Sequence, residues 1–283
     1  MRYIYLTAFL FSAACGFAEP FYNYTHAIVR ELSEGFLSSL KQEEPDSPID
    51  IELAKSQHNA YVSTLQKLLQ NTIVLEGSEA YPDCNFIEDT AIVAKDKAVI
   101  CRMGAQSRRG EEILIHETLK NLGLACYPMD EPVKLDGGDV LYTGKHLFVG
   151  ISKRTNISAF DALSEIFSKD MDVIAIPVSG ALHLKSSVSL LDENTLVIAD
   201  NASGRAIQKW MDAQASYQFV AVPDPVASNV LRIKDTLIIQ SGYPASEAIL
   251  KLEAESRGLK VIALNMSELI KADGALTCGS LLF

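Results

Sequence analysis

The apolar and polar positions of this chain repeat in the same order five times. An amphipathic stretch with apolar residues three and four apart predicts a helix, and a short run rich in branched residues predicts a strand after it. A polar loop follows, and then two apolar runs separated by a polar dipeptide, which is typical of a hairpin. The five helices are predicted to begin near Asp50, Ser107, Asn156, Ala202 and Pro244.

The fifth unit contains only half of its hairpin. Four hairpins are complete, at "TAIVAKDKAVICR", "DVLYTGKHLFVGIS", "SVSLLDENTLVIAD" and "NVLRIKDTLIIQSG", whereas the fifth unit offers only "ALTCGSLLF". The missing strand is predicted at residues 25–32, "THAIVREL", so that opposite ends of the chain close a ring. We therefore expect one α/β domain, a closed array of five strand-and-helix units around an axis; an open mixed sheet is the alternative.

Chemically different residues stand just before each hairpin. Equivalent positions in a radial array point toward a shared axis, so these side chains are expected to surround one pocket. In chain order they are Glu88 with Asp89, Asp136, His183, Asn229 and Cys278.

This set of side chains can support nucleophilic catalysis. A free thiol titrates at about 8.5, so Cys278 needs activation. His183 can move protons, Asp136 can orient its ring, and a bound cation favours the thiolate. The carboxylates of "PDCNFIEDT" suit a planar guanidinium. Taken singly, these residues also have structural interpretations: Cys278 as an apolar filler, His183 as a core histidine.

Composition narrows the classes of partner. The chain has 283 residues, of which 48% are apolar, and a net charge of -11. An acidic protein has no broad basic field for nucleic acid or an anionic membrane surface, whereas small cationic molecules remain suitable ligands. Nothing in the sequence fixes the oligomeric state.

The N-terminus is typical of a cleavable signal peptide. Arg2 precedes an apolar run, and the small residues Gly16 and Ala18 follow it before Pro20. We predict a leader at residues 1–18 and a single catalytic domain at residues 19–283, which implies secretion. The apolar run is short for a bilayer-spanning segment, so a membrane anchor is the less favoured alternative. A buried first strand or a wrong start site is the other alternative, with a cytoplasmic protein. The other cysteines form no CxxC pair, so we expect mostly free thiols and no structural zinc; disulfides stay open.

The motifs and their order resemble the dimethylarginine dimethylaminohydrolase family of the guanidine-modifying superfamily. The resemblance begins near residue 25 and covers most of the chain, through "PDCNFIEDTAIV", "MGAQSRR", "LDGGDVLYTG", "FVGISKRTN", "LHLKS", "VPDPVASN" and "ADGALTCGSLL". It implies the fold of that superfamily, a five-bladed α/β-propeller (pentein) of ββαβ-type repeats around a central active site. It also implies hydrolysis of asymmetric dimethylarginine and monomethylarginine to citrulline and the methylated amine, and hence a link to nitric oxide regulation.

The resemblance assigns roles residue by residue. It implies Cys278 as nucleophile, His183 as general acid and base, and Asp136 as the carboxylate beside it. It implies no cofactor, although zinc bound by Cys278 and His183 is a conceivable inhibitor. The remaining assignments are substrate contacts: Asp83, Glu88 and Asp89 as acidic contacts, Arg102 and Arg154 for the carboxylate, and the main chain at Leu40 and Ala272. An arginine deiminase, an amidinotransferase and a non-catalytic binder of arginine derivatives are the alternative functions.

Overall fold

A computed structural model describes residues 22–283 and shows a ring of five small sheets. The strands are β1 (His26–Arg30), β2 (Asn71–Leu75), β3 (Ala91–Ala94), β4 (Lys97–Ile100), β5 (Ala125–Pro128), β6 (Val140–Tyr142), β7 (His146–Ile151), β8 (Asp172–Pro177), β9 (Val188–Asp192), β10 (Thr195–Ala199), β11 (Gln218–Val222), β12 (Leu231–Ile233), β13 (Thr236–Gln240), β14 (Lys260–Leu264) and β15 (Leu281–Leu282). The helices are α1 (Ile51–Leu68), α2 (Glu111–Asn121), α3 (Ile157–Phe167), α4 (Ala202–Asp212), α5 (Pro244–Ser256) and the short α6 (Ser267–Ile270).

Every sheet has three strands in one arrangement. The middle strand pairs antiparallel with its hairpin partner and parallel with the strand that follows the helix, as β4 does with β3 and β5. In the remaining sheet the partners come from both chain ends: β1 pairs antiparallel with β15 and parallel with β2. The predicted ring closure by the segment around residues 25–32 is thus confirmed, as is the five-repeat fold.

The middle strands and the helix starts explain why strands and helices could be predicted from the pattern of apolar and polar residues. Every residue of β10 and β13 is buried, so these strands are continuous apolar runs, as expected for strands covered on both faces. Helices α1, α3 and α4 begin after Asp50, Asn156 and Asn201, whose side chains accept hydrogen bonds from main-chain N–H groups in the first turn.

The second helix begins later than predicted. Residues Gln106–Arg108 form a separate 3₁₀ turn, and Gly110 at φ +109° breaks the chain direction before α2 starts at Glu111. A Cβ at this glycine would stand 2.2 Å from the Tyr81 hydroxyl, so a larger residue would fit here only if Tyr81 moved.

Four cysteines lie within the described residues, and all are free thiols, as predicted: Cys84, Cys101, Cys126 and Cys278. In the same part of the chain, none of the helices combines the length and the apolar character needed to cross a membrane. The predicted leader at residues 1–18 lies outside the described residues.

One 3₁₀ turn precedes the first hairpin strand of each unit. The five turns contact their neighbours around the axis, so they form one end of the ring. In chain order they are Ile87–Thr90, Gly137–Asp139, Leu184–Ser186, Pro225–Ser228 and Thr277–Gly279.

Candidate active site

The five turns bring the predicted catalytic residues to one cleft with two chambers. The larger chamber has a volume of about 180 Å³ and is lined by Glu88, Lys185 and Asn229. The smaller, of about 30 Å³, is lined by Asp83, Asp89, Arg108, Arg154, Leu40 and Ala272. His183 and Cys278 line both chambers. The thiol and the imidazole, 95 positions apart by their residue numbers, therefore face a common cavity.

His183 is held by a buried carboxylate. Its Nε2 lies 3.0 Å from Oδ2 of Asp136, whose side chain is completely buried. The main chain of His183 is fixed as well, because the Ser186 main-chain N–H donates to the His183 main-chain oxygen and the Ser186 hydroxyl oxygen accepts from the His183 main-chain N–H. Burial opposes the charged ring, but Asp89, Asp136 and Asp139 outweigh it and raise the pKa of His183 to about 9.

Asp136 has a complete set of hydrogen-bond partners. Its Oδ1 accepts from the main-chain N–H of Gly104 at 2.7 Å, and its Oδ2 accepts from Nη1 of Arg154 at 3.3 Å. A Cβ at Gly104 would stand 2.2 Å from the main-chain oxygen of Arg154, so only glycine permits this approach. The Asp136 carboxylate is therefore hydrogen-bonded both to the imidazole of His183 and to Arg154 of the smaller chamber.

Asp89 is paired with an arginine that the sequence analysis did not select. Its Oδ2 accepts from Nη1 of Arg108 at 2.6 Å, and its Oδ1 accepts from the Gly138 N–H at 2.9 Å. Burial disfavours the Asp89 carboxylate, but the charges of His183 and Arg108 lower its pKa below the ordinary value. Arg108 is itself 3% exposed and also binds Glu111.

Asp83 and Leu40 lie together at the smaller chamber. The Asp83 Oδ1 accepts from the main-chain N–H of Leu40 at 3.0 Å, and Ala272 lines the same chamber. Burial raises the pKa of Asp83, and the nearby charge of Arg108 only partly offsets this. The predicted contacts Asp83, Leu40, Ala272 and Arg154 are thus brought together.

Glu88 closes the floor of the larger chamber. One carboxylate oxygen accepts from Nζ of Lys185 at 2.6 Å and the other from the hydroxyl of Thr277 at 2.9 Å. Burial raises the pKa of Glu88, although Lys185 opposes the rise. The pKa of the neighbouring Cys278 thiol is also raised, first by burial and then by the charges of Glu88 and Asp89.

The structure corrects one predicted contact. Arg102 lines neither chamber; it bonds to Glu131 and to the main-chain oxygen of Val133, in a separate surface groove that also contains Arg109. Arg108 stands at the smaller chamber instead. Arg102 therefore cannot serve as the predicted carboxylate contact in this arrangement. Arg108 lies in the quoted motif "MGAQSRR", which was the available signal.

The described residues include a group of three that could ligate a metal ion. The ligand atoms of Asp89, Asp136 and His183 lie within 4.8 Å of one another. Asp89 already binds Arg108, Asp136 already binds Gly104 and Arg154, and His183 is hydrogen-bonded to Asp136 itself. Cys278 is not a member of the group.

A five-sheet ring with a thiol, an imidazole and carboxylates at its axis defines a class, the α/β-propeller proteins of the guanidine-modifying (pentein) superfamily. The profile described as "N,N dimethylarginine dimethylhydrolase, eukaryotic" matches residues 36–278. The chain belongs to the dimethylarginine dimethylaminohydrolase family, and the resemblance seen in the sequence is confirmed.

Similar proteins span nearly the whole chain. The N(G),N(G)-dimethylarginine dimethylaminohydrolase of Pseudomonas aeruginosa is 30% identical over 269 residues, 92% of this chain and 100% of that protein. A cysteine-to-serine mutant of the Pseudomonas aeruginosa protein, solved with citrulline, matches with a TM-score of 0.82 and 28% identity over 92% of this chain and 99% of that one. A histidine-to-glycine dimethylarginine dimethylaminohydrolase, solved as an adduct with S-methyl-L-thiocitrulline, gives the same TM-score and identity over 92% and 100%.

Proposed function

We propose that this protein hydrolyses Nω-methylated L-arginines, namely asymmetric dimethylarginine and monomethylarginine, to L-citrulline and dimethylamine or methylamine. One observation carries the proposal: Cys278 and His183, the latter paired with Asp136, line both chambers of a cleft that also bears carboxylates. Such a cleft offers a nucleophile, a proton carrier and a complement to a guanidinium. The citrulline complex and the thiocitrulline adduct of the related proteins support it.

The reaction uses Cys278 as a covalent nucleophile. A guanidinium docked beside Glu88 and Asp89 offsets the charges that raise the pKa of Cys278, and the thiol proton leaves to solvent. The thiolate attacks the guanidinium carbon, forming a C–S bond. His183, whose raised pKa keeps it protonated at neutral pH, gives its proton to the methylated nitrogen as the C–N bond breaks.

Water completes the cycle. After the amine departs, the neutral His183 takes a proton from a water molecule, whose oxygen attacks the same carbon. The C–S bond then breaks, the sulfur of Cys278 departs as thiolate, and the hydroxyl proton of the intermediate passes to solvent, which leaves the carbonyl of citrulline. Asp136 holds the ring in place for both proton transfers, at 3.0 Å. This chemistry uses groups of the protein alone.

The smaller chamber is assigned to the amino-acid end of the substrate. Arg154 supplies a guanidinium for the carboxylate, and Asp83 with the main chain at Leu40 and Ala272 lies where the α-amino group would be bound. Arg108 replaces the predicted Arg102 as the second arginine of this chamber. Because its N–H groups already bind Asp89 and Glu111, its part is to fix those carboxylates.

A product assay tests the function. Purified protein is incubated with dimethylarginine, monomethylarginine or arginine, and citrulline, the methylamines and ammonia are measured. Citrulline with dimethylamine, absent in Cys278→Ser, is the expected result. Ammonia from arginine alone would identify a deiminase, and tight binding without product a non-catalytic binder; either outcome contradicts the proposal.

Three further points remain proposals. Zinc held by Cys278 and His183 inhibits the protein, since thiolate and imidazole are both zinc ligands. Inhibition by added zinc that EDTA reverses is expected.

The leader at residues 1–18 is cleaved on export, which mass spectrometry of the mature N-terminus tests. Removal of methylated arginines links the protein to nitric oxide regulation, because these compounds mimic arginine.

A further inference from the structure

The fourth turn presents an asparagine with a fully engaged side chain. Asn229 is 2% exposed and follows the turn Pro225–Ser228. Its Oδ1 accepts from the main-chain N–H of Thr277 at 3.0 Å. Its Nδ2 donates to the Thr277 hydroxyl at 3.0 Å and to the main-chain oxygen of Lys185 at 3.0 Å. Both amide hydrogens are used, so Asn229 has no N–H left for a substrate.

These contacts close a ring of hydrogen bonds across four turns. The Thr277 hydroxyl accepts from Asn229 and donates to Glu88 at 2.9 Å, and Nζ of Lys185 contacts the other oxygen of Glu88 at 2.6 Å. Since the main-chain oxygen of Lys185 binds Asn229, the ring returns to its start. Every member is buried or nearly so, and a fully satisfied buried network rigidifies its surroundings.

The ring fixes the residue immediately before the nucleophile. Thr277 is held through both its main-chain N–H and its hydroxyl, and the next residue is Cys278. The orientation of the Asn229 amide is dictated, because only its oxygen can face an N–H and only its nitrogen can face a carbonyl.

We propose that Asn229 is a positioning residue, which acts through Thr277 to hold the Cys278 sulfur against the guanidinium carbon and to tie it to the Glu88 carboxylate. The inference rests on the proposed function and deepens it. Asn229 and Thr277 set the position of Cys278 and hold the Glu88 carboxylate, so we expect them to affect the chemical step more than the binding of the amino-acid end in the smaller chamber.

Matched variants separate positioning from simple stability. Thr277→Val removes the hydroxyl and Thr277→Ser keeps it. Asn229→Ala removes the amide that connects Thr277 to Lys185 and so opens the ring of hydrogen bonds. Thr143→Val is the control, since Thr143 is also buried and lies in a hairpin turn outside the cleft, where its hydroxyl bonds to Tyr217. Thermal unfolding of each variant gives its loss of stability.

Steady-state kinetics with dimethylarginine give the first readout. Asn229→Ala and Thr277→Val are expected to lower kcat by roughly tenfold or more with KM changed less than about threefold, because misplacing a reacting atom by about 1 Å can cost about a hundredfold. Thr277→Ser is expected to restore most of kcat. Thr143→Val is expected to keep the wild-type kcat even if its melting temperature falls as far as that of Thr277→Val. If Thr277→Ser is as slow as Thr277→Val, or if kcat follows only the melting temperature, the positioning role is refuted.

Alkylation of Cys278 by iodoacetamide, followed by peptide mass spectrometry across a pH series, gives a second readout that does not need turnover. The rate and pH dependence at Cys278 are expected to change in Thr277→Val and to return in Thr277→Ser, with Thr143→Val unaltered. An unchanged profile in all variants overturns the inference. Wild-type protein that forms no citrulline, with the alkylation differences intact, would instead contradict only the proposed function.

Discussion

Replacing Asp136 by asparagine removes one charge from a completely buried position without changing its shape. The carboxylate accepts from Gly104, Arg154 and, at 3.0 Å, His183. An amide can still accept from Gly104 through its oxygen, but its NH₂ group then faces the imidazole. The ring loses the acceptor that favours its protonated form and its orientation for proton transfer.

The magnitude follows from the pKa of His183. A rise from 6.5 to about 9 corresponds to about 3 kcal/mol in favour of the protonated ring in the folded protein. Asp89 is the largest favourable contributor, and Asp136 follows through its hydrogen bond and its charge, so removing the Asp136 carboxylate should take away part of this stabilisation. Because the folded pKa lies above the unfolded one, this stabilisation is complete below pH 6.5 and is lost as the pH rises through about 9.

Urea unfolding of wild type and Asp136→Asn at about pH 6 and about pH 10 measures this directly. The variant should lose more stability at the lower pH than at the higher, by no more than the about 3 kcal/mol of the whole His183 shift, with equal m-values, and kcat should fall roughly a hundredfold or more. Asp224→Asn is the control, since Asp224 bonds to Ser246 away from His183. An equal loss of stability at both pH values would refute the assignment of the His183 pKa to Asp136.

Three other substitutions test the cleft. Cys278→Ser should abolish citrulline formation and the iodoacetamide adduct at this position; wild-type product levels would exclude Cys278 as nucleophile. Arg154→Gln should lower kcat/KM by roughly tenfold or more, whereas Arg102→Gln should leave it within about twofold, as measured by steady-state kinetics. Gly138→Ala would place a Cβ 2.7 Å from Nδ1 of His183. The variant should have a free energy of unfolding about 1 to 3 kcal/mol lower, as measured in urea. Because the added methyl group crowds the His183 ring, the pH range of high activity should also become narrower, and an unaltered pH–rate profile would contradict the packing argument.

The fold was readable from the sequence because each repeat carries its own local signals. Buried middle strands, hairpin dipeptides and capping residues such as Asp50 and Asn156 act over a few positions. Because the five repeats form a closed ring, the residues just before each hairpin occupy equivalent positions around its axis. The sequence repeat therefore also predicted which residues meet in the cleft.

The choice between two nearby arginines was not readable in the same way. Arg102 follows β4 by two residues and its side chain bonds to Glu131, whereas Arg108 lies beyond the close approach of Gly104 to Arg154 and turns inward to Asp89. The contacts that hold Arg108 in the cleft are with Asp89 and Glu111, and composition and spacing do not show which arginine makes them.

The charge balance of the cleft distinguishes substrate from product. Arg108 and Lys185 compensate Asp89 and Glu88, yet the pKa of the Cys278 thiol stays raised, first by burial and then by the charges of Glu88 and Asp89. A bound guanidinium adds a positive charge beside the sulfur and so favours the thiolate when the substrate is present. The ureido group of citrulline is neutral and offers no such compensation. On the proposed mechanism, the same carboxylates that admit the substrate therefore favour release of the product and return Cys278 to its unreactive thiol.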